Sequence, residues 1–372
     1  MENFLRDLLH ALKRDGVCVS ALVHHHLPGE PSLSEREDEI TIVRAPILGQ
    51  VLYAPISPSF PVLLDQQIRS FRPTLLHFHV PNLSAFWSMF IPEARAIPWV
   101  IHWQSDVVAS KVDRRMAAAY CIYRPFEYYL LNRARSVVVT SKRYLFTSRA
   151  LAPFRAKCRV IPLGLNPSRL HMPDERAMRW AETKWAQGGG TRVLAIGRLT
   201  YYKGHEVLMR AVARTPRVTV FIVGQGERRK CLEGLISELG LRDRVKLLGL
   251  LEESKLHAML ATCDCLCLPS IERTEAFGLV LLEAMRYARP VVASDVTGSG
   301  IGWVVSHGKT GLLVHPGDPV ELAKALQMMG EMHELREVMG RAGRERFDEV
   351  FQIDRISREI GVMYRSVLRD WA

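Results

Sequence analysis

Two carboxylates eight positions apart, Glu275 and Glu283, bracket the apolar run Ala276-Phe-Gly-Leu-Val-Leu-Leu282. On one continuous helix, eight residues turn the chain about 80° beyond two full turns and advance it about 12 Å. Phe277, Gly278, Leu281 and Leu282 are residues that a helix start and its buried face would use. That reading puts Glu275 at a loop-to-helix junction and Glu283 two turns in, where one elongated ligand could touch both. Spacing alone fits equally a buried helix with a surface acid at each end. Upstream, Val193-Leu-Ala-Ile-Gly-Arg-Leu-Thr-Tyr-Tyr-Lys-Gly204 reads as a buried strand that ends at Gly197, followed by Arg198 and then Lys203. Ligands of open α/β sheets bind beyond the carboxyl ends of the strands. Two cations there suit a diphosphate, because Arg grips phosphate oxygens bidentately and Lys supplies a compact point charge.

The elements that must hold these residues follow an alternating pattern. Strand-like runs fall at Val17–Val23, Glu39–Arg44, Thr74–His79, Trp99–Trp103, Ser136–Thr140 and Arg159–Pro162, then at Arg192–Ile196, Arg217–Val223, Val245–Leu248, Cys263–Leu268 and Val291–Ser294. Strands alternating with helices imply parallel, doubly wound sheets. The chain's 372 residues allow two domains. We place the first domain at 1–165, a linker rich in Pro and Gly at 166–190, the second domain at 191–350, and a final helix at 351–372.

With the elements in place, the chain resembles the family 4 retaining glycosyltransferases. The family's E-x7-E motif corresponds to Glu275 and Glu283, and its G-R-x4-K-G element to Gly197, Arg198, Lys203 and Gly204. The similarity runs on through Leu266-Cys-Leu-Pro-Ser270, Pro290-Val-Val-Ala-Ser294 and Gly308-Lys-Thr-Gly-Leu-Leu-Val314, and so spans most of the second half. The resemblance implies the GT-B fold, two Rossmann-like α/β domains facing a central cleft, with the last helix crossing back to the first domain. It implies a donor-binding set of Gly197, Arg198, Lys203, Phe277, Gly278, Leu279 and Glu283, with Glu283 on the ribose hydroxyls and Glu275 gripping the donor sugar. Val100-Ile-His102-Trp-Gln-Ser-Asp106 resembles the family's histidine segment, which makes His102 and Glu275 the catalytic candidates. His77 and His79, ahead of Pro81 and Asn82, resemble an acceptor-side segment, so His79 and Asp106 are assigned to the acceptor.

The resemblance also implies front-face attack with retention, the departing phosphate taking the acceptor's proton. No metal is required in this scheme, because the diphosphate has Arg198, Lys203 and helix N-terminal amides. His102–Asp106 and Ser299-Gly300-Ile-Gly-Trp303 look most like the subgroup that builds bacterial exopolysaccharide and O-antigen units. That subgroup implies GDP-mannose as donor and a polyprenyl-diphosphate-linked saccharide as acceptor. A UDP-sugar donor, a nucleotide-sugar epimerase and a non-catalytic glycan-binding subunit remain alternatives at this point.

The formal net charge of +11 is unevenly spread: from Arg95 to Arg159, thirteen lysines and arginines face three acids. Lys111, Arg114 and Arg115 have helix-face spacing, and Tyr120, Tyr123, Phe126, Tyr128 and Tyr129 follow. Basic residues mixed with aromatics suit an anionic membrane surface. Nucleic acid would also favour the charge, but no recognition module accompanies it, and we expect no nucleic-acid partner. No apolar run reaches the roughly 18 residues that span a bilayer, and no charged-then-apolar leader is seen. Seven cysteines, an odd number, fit a reducing compartment. These features together lead us to expect a cytoplasmic protein, peripheral on the inner membrane. Cys263, Cys265 and Cys267 read as buried small hydrophobes, and the tract His24–His26 as a loop. One feature stands apart. Phe4, Leu5, Leu8, Leu9 and Leu12 make a helical apolar face before any strand, whereas a doubly wound domain ordinarily opens with a central strand and a glycine turn. We therefore expect that strand and turn to lie upstream of Met1; the alternative is a variant that opens with a helix.

Overall fold

Apolar runs form the strands of the parallel sheets, and amphipathic stretches between them form the helices that cover them. The computed structural model describes residues 2–51, 54–107 and 114–371. The chain divides into two units: residues 1–162 with 353–372, and residues 163–352.

In the first unit, β1 (Ser20–His24) pairs parallel with β3 (Ile40–Ala45), and β2 (Leu33–Glu37) lies antiparallel on β3. A short hairpin joins β4 (Gly49–Val51) to β5 (Ala54–Ile56). A second, parallel sheet holds β6 (Leu76–Val80), β7 (Trp99–Trp103), β8 (Ser136–Val139) and β9 (Cys158–Val160), in that order. The helix Glu2–Arg14 packs on the helix Ile353–Arg369. Phe4, Leu8 and Leu12 are buried on one, and Ile356, Ile360 and Met363 on the other. Ser357 Oγ donates to Asp15 Oδ2 at 2.6 Å, and Arg14 pairs with Asp354 at 2.5 Å, which fixes the register of the two helices.

The second unit carries one parallel sheet of β10 (Thr191–Ile196), β11 (Val218–Val223), β12 (Val245–Gly249), β13 (Cys265–Leu268), β14 (Val291–Ser294) and β15 (Gly311–Val314), in the order β12-β11-β10-β13-β14-β15. Strand order reverses between β10 and β13, the switch point at which such sheets bind ligands. Every residue of β11 is buried, as expected of a strand covered on both faces. Cys265 and Cys267 belong to the core with Val193, Ala195, Val220 and Ile222, and burial pushes both thiols above their usual range.

The segment expected as a linker is structured. Asp174 accepts a hydrogen bond from the Ala177 amide at 2.7 Å and caps the helix Glu175–Trp185. Ala177, Ala181 and Trp185 recur at helical spacing and are buried. Trp185 stacks on Phe221, ring centroids 4.4 Å apart, and donates to Thr262 Oγ1 at 3.0 Å. The pattern is that of an integral helix of the second unit, and the irregularity expected of the whole segment is kept by residues 166–174 ahead of the helix and by the turn around Gly189 and Gly190, both at positive φ.

Candidate functional site

The loop after β10 is drawn tightly across the switch point. Gly197 follows the strand, Arg198 is exposed, Leu199 is buried, and a short turn, Tyr201–Lys203, leads to Gly204. Gly204 has φ +67°, and a Cβ there would lie 1.9 Å from the Pro269 carbonyl oxygen just beyond β13. Only glycine allows the two loops to approach so closely. The Ile271 amide, donating to Tyr202 O at 2.8 Å, ties them together.

That approach brings Lys203 to Glu275. Lys203 Nζ lies 2.5 Å from Glu275 Oε2, with both side chains near one-eighth exposed (13% and 12%). The Ser270 hydroxyl donates to the same oxygen at 3.3 Å, and the Ser299 hydroxyl donates to the Glu275 backbone carbonyl. Burial pulls the Lys203 pKa down, but the neighbouring Glu275 carboxylate outweighs it and the net shift is upward, so the ammonium stays charged. Arg198 Nη2 lies 3.4 Å from the Tyr202 hydroxyl.

Glu275 and Glu283 do not share a helix. Gly278 sits at φ +82°, and the helix beyond it runs from Leu279 to Arg286. Glu275 therefore belongs to a bent loop, and Glu283 lies about one turn into the helix, so the 80° and 12 Å spacing expected for a continuous helix does not apply. The left-handed glycine is the cause. A Cβ at Gly278 would also press within 3 Å of Leu281 and Leu268. Burial raises the Glu283 carboxyl to about 7, with Arg169 pulling the other way. Phe277 is buried among Trp303 and Phe351, both at 6.2 Å, so it anchors the loop rather than offering a surface. Leu279 opens the helix whose first-turn amides can receive an anion. A lysine, an arginine, a helix N-terminus and two carboxyls at one sheet edge can hold a diphosphate beside hydroxyl groups. Sequence reasoning passed over Ser270, Ser299 and Arg169 as individual residues. The first two lay inside segments already singled out, and Arg169 lay in the supposed linker.

The first-unit residues are placed differently. His102 is fully buried, with Phe4, His77 and His79 as ring neighbours at 5.5, 5.4 and 4.8 Å. His102 stands one residue before the end of β7, enclosed on the face of the sheet. His79 stacks in the same cluster, with Nδ1 3.0 Å from Gln104 Nε2. Asp106 accepts from Trp103 Nε1 at 2.9 Å and from the Ser148 hydroxyl at 2.7 Å, and these bonds tie it to the end of β7 and to the segment after β8. Lys111 lies outside the described residues, and Arg114 and Arg115 open the helix Arg114–Arg133. His24 stacks on Phe60 at 4.9 Å and meets the Ser84 hydroxyl at 2.9 Å, so it is held by packing at the end of β1.

Comparison with known proteins agrees with this geometry. Residues 181–346 match the family described as glycosyl transferases group 1, and residues 1–164 match the glycosyl transferase 4-like domain. The chain is 32% identical to D-rhamnosyltransferase WbpZ of Pseudomonas aeruginosa over 68% of this chain and 64% of that protein. It thus spans just under two-thirds of that relative's length. It is 29% identical to O-antigen chain mannosyltransferase C of Escherichia coli over 78% of this chain and 74% of that one. It is 30% identical to alpha-D-kanosaminyltransferase of Streptomyces kanamyceticus over 71% of this chain and 69% of that one. Among solved structures, sucrose-phosphate synthase from Thermosynechococcus elongatus superposes with a TM-score of 0.81 at 26% identity, covering 99% of this chain and 93% of that one. The class is therefore the GT-B glycosyltransferases. Within it, the chain belongs to the glycosyl transferases group 1 family, with a glycosyl transferase 4-like first domain.

Proposed function

We propose that the protein is a retaining glycosyltransferase of cell-surface polysaccharide synthesis, moving mannose from GDP-mannose to a polyprenyl-diphosphate-linked saccharide. The observation that carries the reading is the Lys203–Glu275 pair at the switch point, beside exposed Arg198 and the helix that starts at Leu279. A cation already held in place by a carboxylate is preorganised for a diphosphate. The donor's sugar–phosphate bond breaks with its electron pair passing to the diphosphate. Arg198 and Lys203 face that growing charge, and Glu275 holds a hydroxyl of the sugar. The acceptor oxygen then bonds to the anomeric carbon from the same face, and its proton passes to a departing phosphate oxygen. Glu283 holds the ribose. The named activities of the relatives above, mannosyl and rhamnosyl transfer, favour a hexose donor of this kind.

The acceptor's lipid would bring the first unit to a membrane. On the helix Arg114–Arg133, Ile122, Phe126 and Tyr129 recur at i, i+4 and i+7 and are all exposed. Phe126 stacks on Phe86 at 5.4 Å, close to exposed Trp87 and Phe90. An apolar stripe within a basic segment suits an anionic bilayer surface. Among the described residues no helix is long and apolar enough to cross a membrane. The test is nucleoside diphosphate release from GDP-mannose, GDP-rhamnose, UDP-glucose and UDP-N-acetylglucosamine, with and without a polyprenyl-diphosphate saccharide. We expect acceptor-stimulated GDP release from GDP-mannose. Turnover to an epimerised nucleotide-sugar without acceptor, or no release from any donor, would overturn the proposal.

A further inference from the structure

Three imidazoles share one face of the parallel sheet in the first unit. His77 and His79 alternate along β6, and His102 on β7 is the register partner of His79. The rings lie 4.7, 5.4 and 4.8 Å apart pairwise, and one nitrogen from each falls within 4.8 Å of the others. Among the described residues this is the one cluster of three side chains with the reach to hold a metal ion.

Packing alone accounts poorly for it. Both ring nitrogens of His102 are buried without a hydrogen-bond partner, and so is His77 Nε2. Buried polar atoms are ordinarily paired, and a phenylalanine would fill the same space with no polar atom to desolvate. The outer nitrogens, by contrast, are engaged. His77 Nδ1 lies 2.5 Å from the Tyr364 hydroxyl, and His79 Nδ1 lies 3.0 Å from the Gln104 amide. The amide's other end, Gln104 Oε1, is buried and unpartnered, so turning the amide over lets it accept from His79 Nδ1–H. With Tyr364 and Gln104 each accepting an Nδ1–H, the Nε2 atoms of His77 and His79 are left as ligand lone pairs. This is the outer-shell arrangement that orients metal-binding histidines.

We propose that His77, His79 and His102 form a three-imidazole site for a divalent transition ion of the zinc class, with a fourth position for water. Zinc–nitrogen bonds of about 2.0–2.1 Å in tetrahedral geometry place ligand nitrogens roughly 3.4 Å apart, so each ring has to close in by about an ångström. His77 and His79 are partly exposed as residues, whereas His102 is enclosed. The ion would join β6 and β7, and through Tyr364 the last helix, into one assembly. Its three ligands belong to the first unit, whereas Arg198, Lys203, Glu275 and Glu283 belong to the second.

The experiment uses the full chain, stripped with a chelator, dialysed and titrated with Co²⁺ and then Zn²⁺. We expect one equivalent of Co²⁺ to give the strong visible bands of a four-coordinate ion, Zn²⁺ to displace it, and Zn²⁺ to raise the melting temperature. His79→Gln and His102→Asn should each weaken Zn²⁺ binding by about a hundredfold or more, and Tyr364→Phe by about tenfold to a hundredfold. His24→Asn with His26→Asn should leave binding unchanged. If His102→Asn fails to fold by circular dichroism, His77→Gln at a partly exposed position carries the same expectation. A weak six-coordinate Co²⁺ spectrum, binding that survives His79→Gln, or binding lost in the His24/His26 variant would each overturn the site.

Discussion

The switch-point edge of the second unit and the histidine face of the first treat buried polar groups in opposite ways. At the switch point, Lys203 and Glu275 neutralise each other at 2.5 Å, and Ser270 takes up a further lone pair. On the histidine face, His102 carries two buried nitrogens with no partner, and neutral imidazoles take the place of charges. The contrast teaches where a ligand is already anticipated. A paired lysine is a cation kept ready and can turn from its carboxylate to an anion, with small loops shaped around it. An unpaired imidazole is a lone pair waiting for a Lewis acid. Breaking one partner of the first arrangement strands a charge, whereas changing His102 in the second breaks no side-chain hydrogen bond.

The largest effect expected from that difference is at Glu275. Glu275→Ala leaves the Lys203 ammonium without its carboxylate at a site near one-eighth exposed. Stability should fall toward the lower end of the roughly 3–5 kcal/mol seen when one member of a buried pair is removed. Urea denaturation measures it. Glu275→Gln keeps a hydrogen-bond acceptor for Lys203 and should recover about half of the loss while turnover stays low. Equal stability of Glu275→Ala and the unchanged protein would show the pair to be idle.

A smaller effect concerns Glu283. Burial raises its pKa to about 7, against the opposing charges of Arg169 and Lys203 and with Glu253 adding to the rise. A carboxyl raised above its unfolded value binds its proton more tightly in the folded state. Its stabilising contribution is therefore present below about pH 4.5 and is lost as pH rises through about 7. Donor binding has the opposite slope, because the ribose hydroxyls need the ionised form to accept from them. The apparent affinity for GDP-mannose should rise up to several-fold between pH 6 and 8, and Glu283→Gln should flatten the profile. A pH-independent affinity in the unchanged protein contradicts a ribose-binding Glu283.

The smallest expected effect lies outside both regions. Changing Ile122, Phe126 and Tyr129 to Ser removes the exposed stripe while sparing buried Glu127 and Leu130 on the same helix. Melting should shift by no more than a few degrees, since surface changes usually stay within about 0.5 kcal/mol each. Co-sedimentation with anionic vesicles should drop severalfold. Unaltered co-sedimentation removes the stripe from the account.

What could be read from the sequence follows the same division. The residues of the switch-point edge were legible because their chemistry is local to a strand end: Gly197, Arg198 and Lys203 fall on one loop, and β10, β11 and β14 begin and end within about a residue of the expected runs. The meeting of Lys203 with Glu275, 72 residues apart, was not legible, because it depends on the close approach of Gly204 to Pro269. The bend at Gly278 was hidden by assuming helix through a residue whose φ is left-handed. The helix Glu175–Trp185 was mistaken for linker because the flanking Pro and Gly outweighed its Ala-Ala-Trp periodicity. In the first unit, His77 and His79 alternate visibly, but the register that sets His102 beside His79 belongs to the pairing of β6 with β7. Strand β2, Leu-Ser-Glu-Arg-Glu, is exposed and polar and carries no apolar signal.

Arg198 and Lys203 gripping a diphosphate is the central requirement of the proposed site, and calorimetric titration with GDP-mannose and GDP tests it directly. Charge-assisted hydrogen bonds contribute roughly 1.5–3 kcal/mol each. The Arg198→Ala/Lys203→Ala protein should therefore bind both ligands about a hundredfold to ten-thousandfold more weakly while still melting as one cooperative unit. Equal affinity for GDP in the unchanged and double-variant proteins would contradict the site.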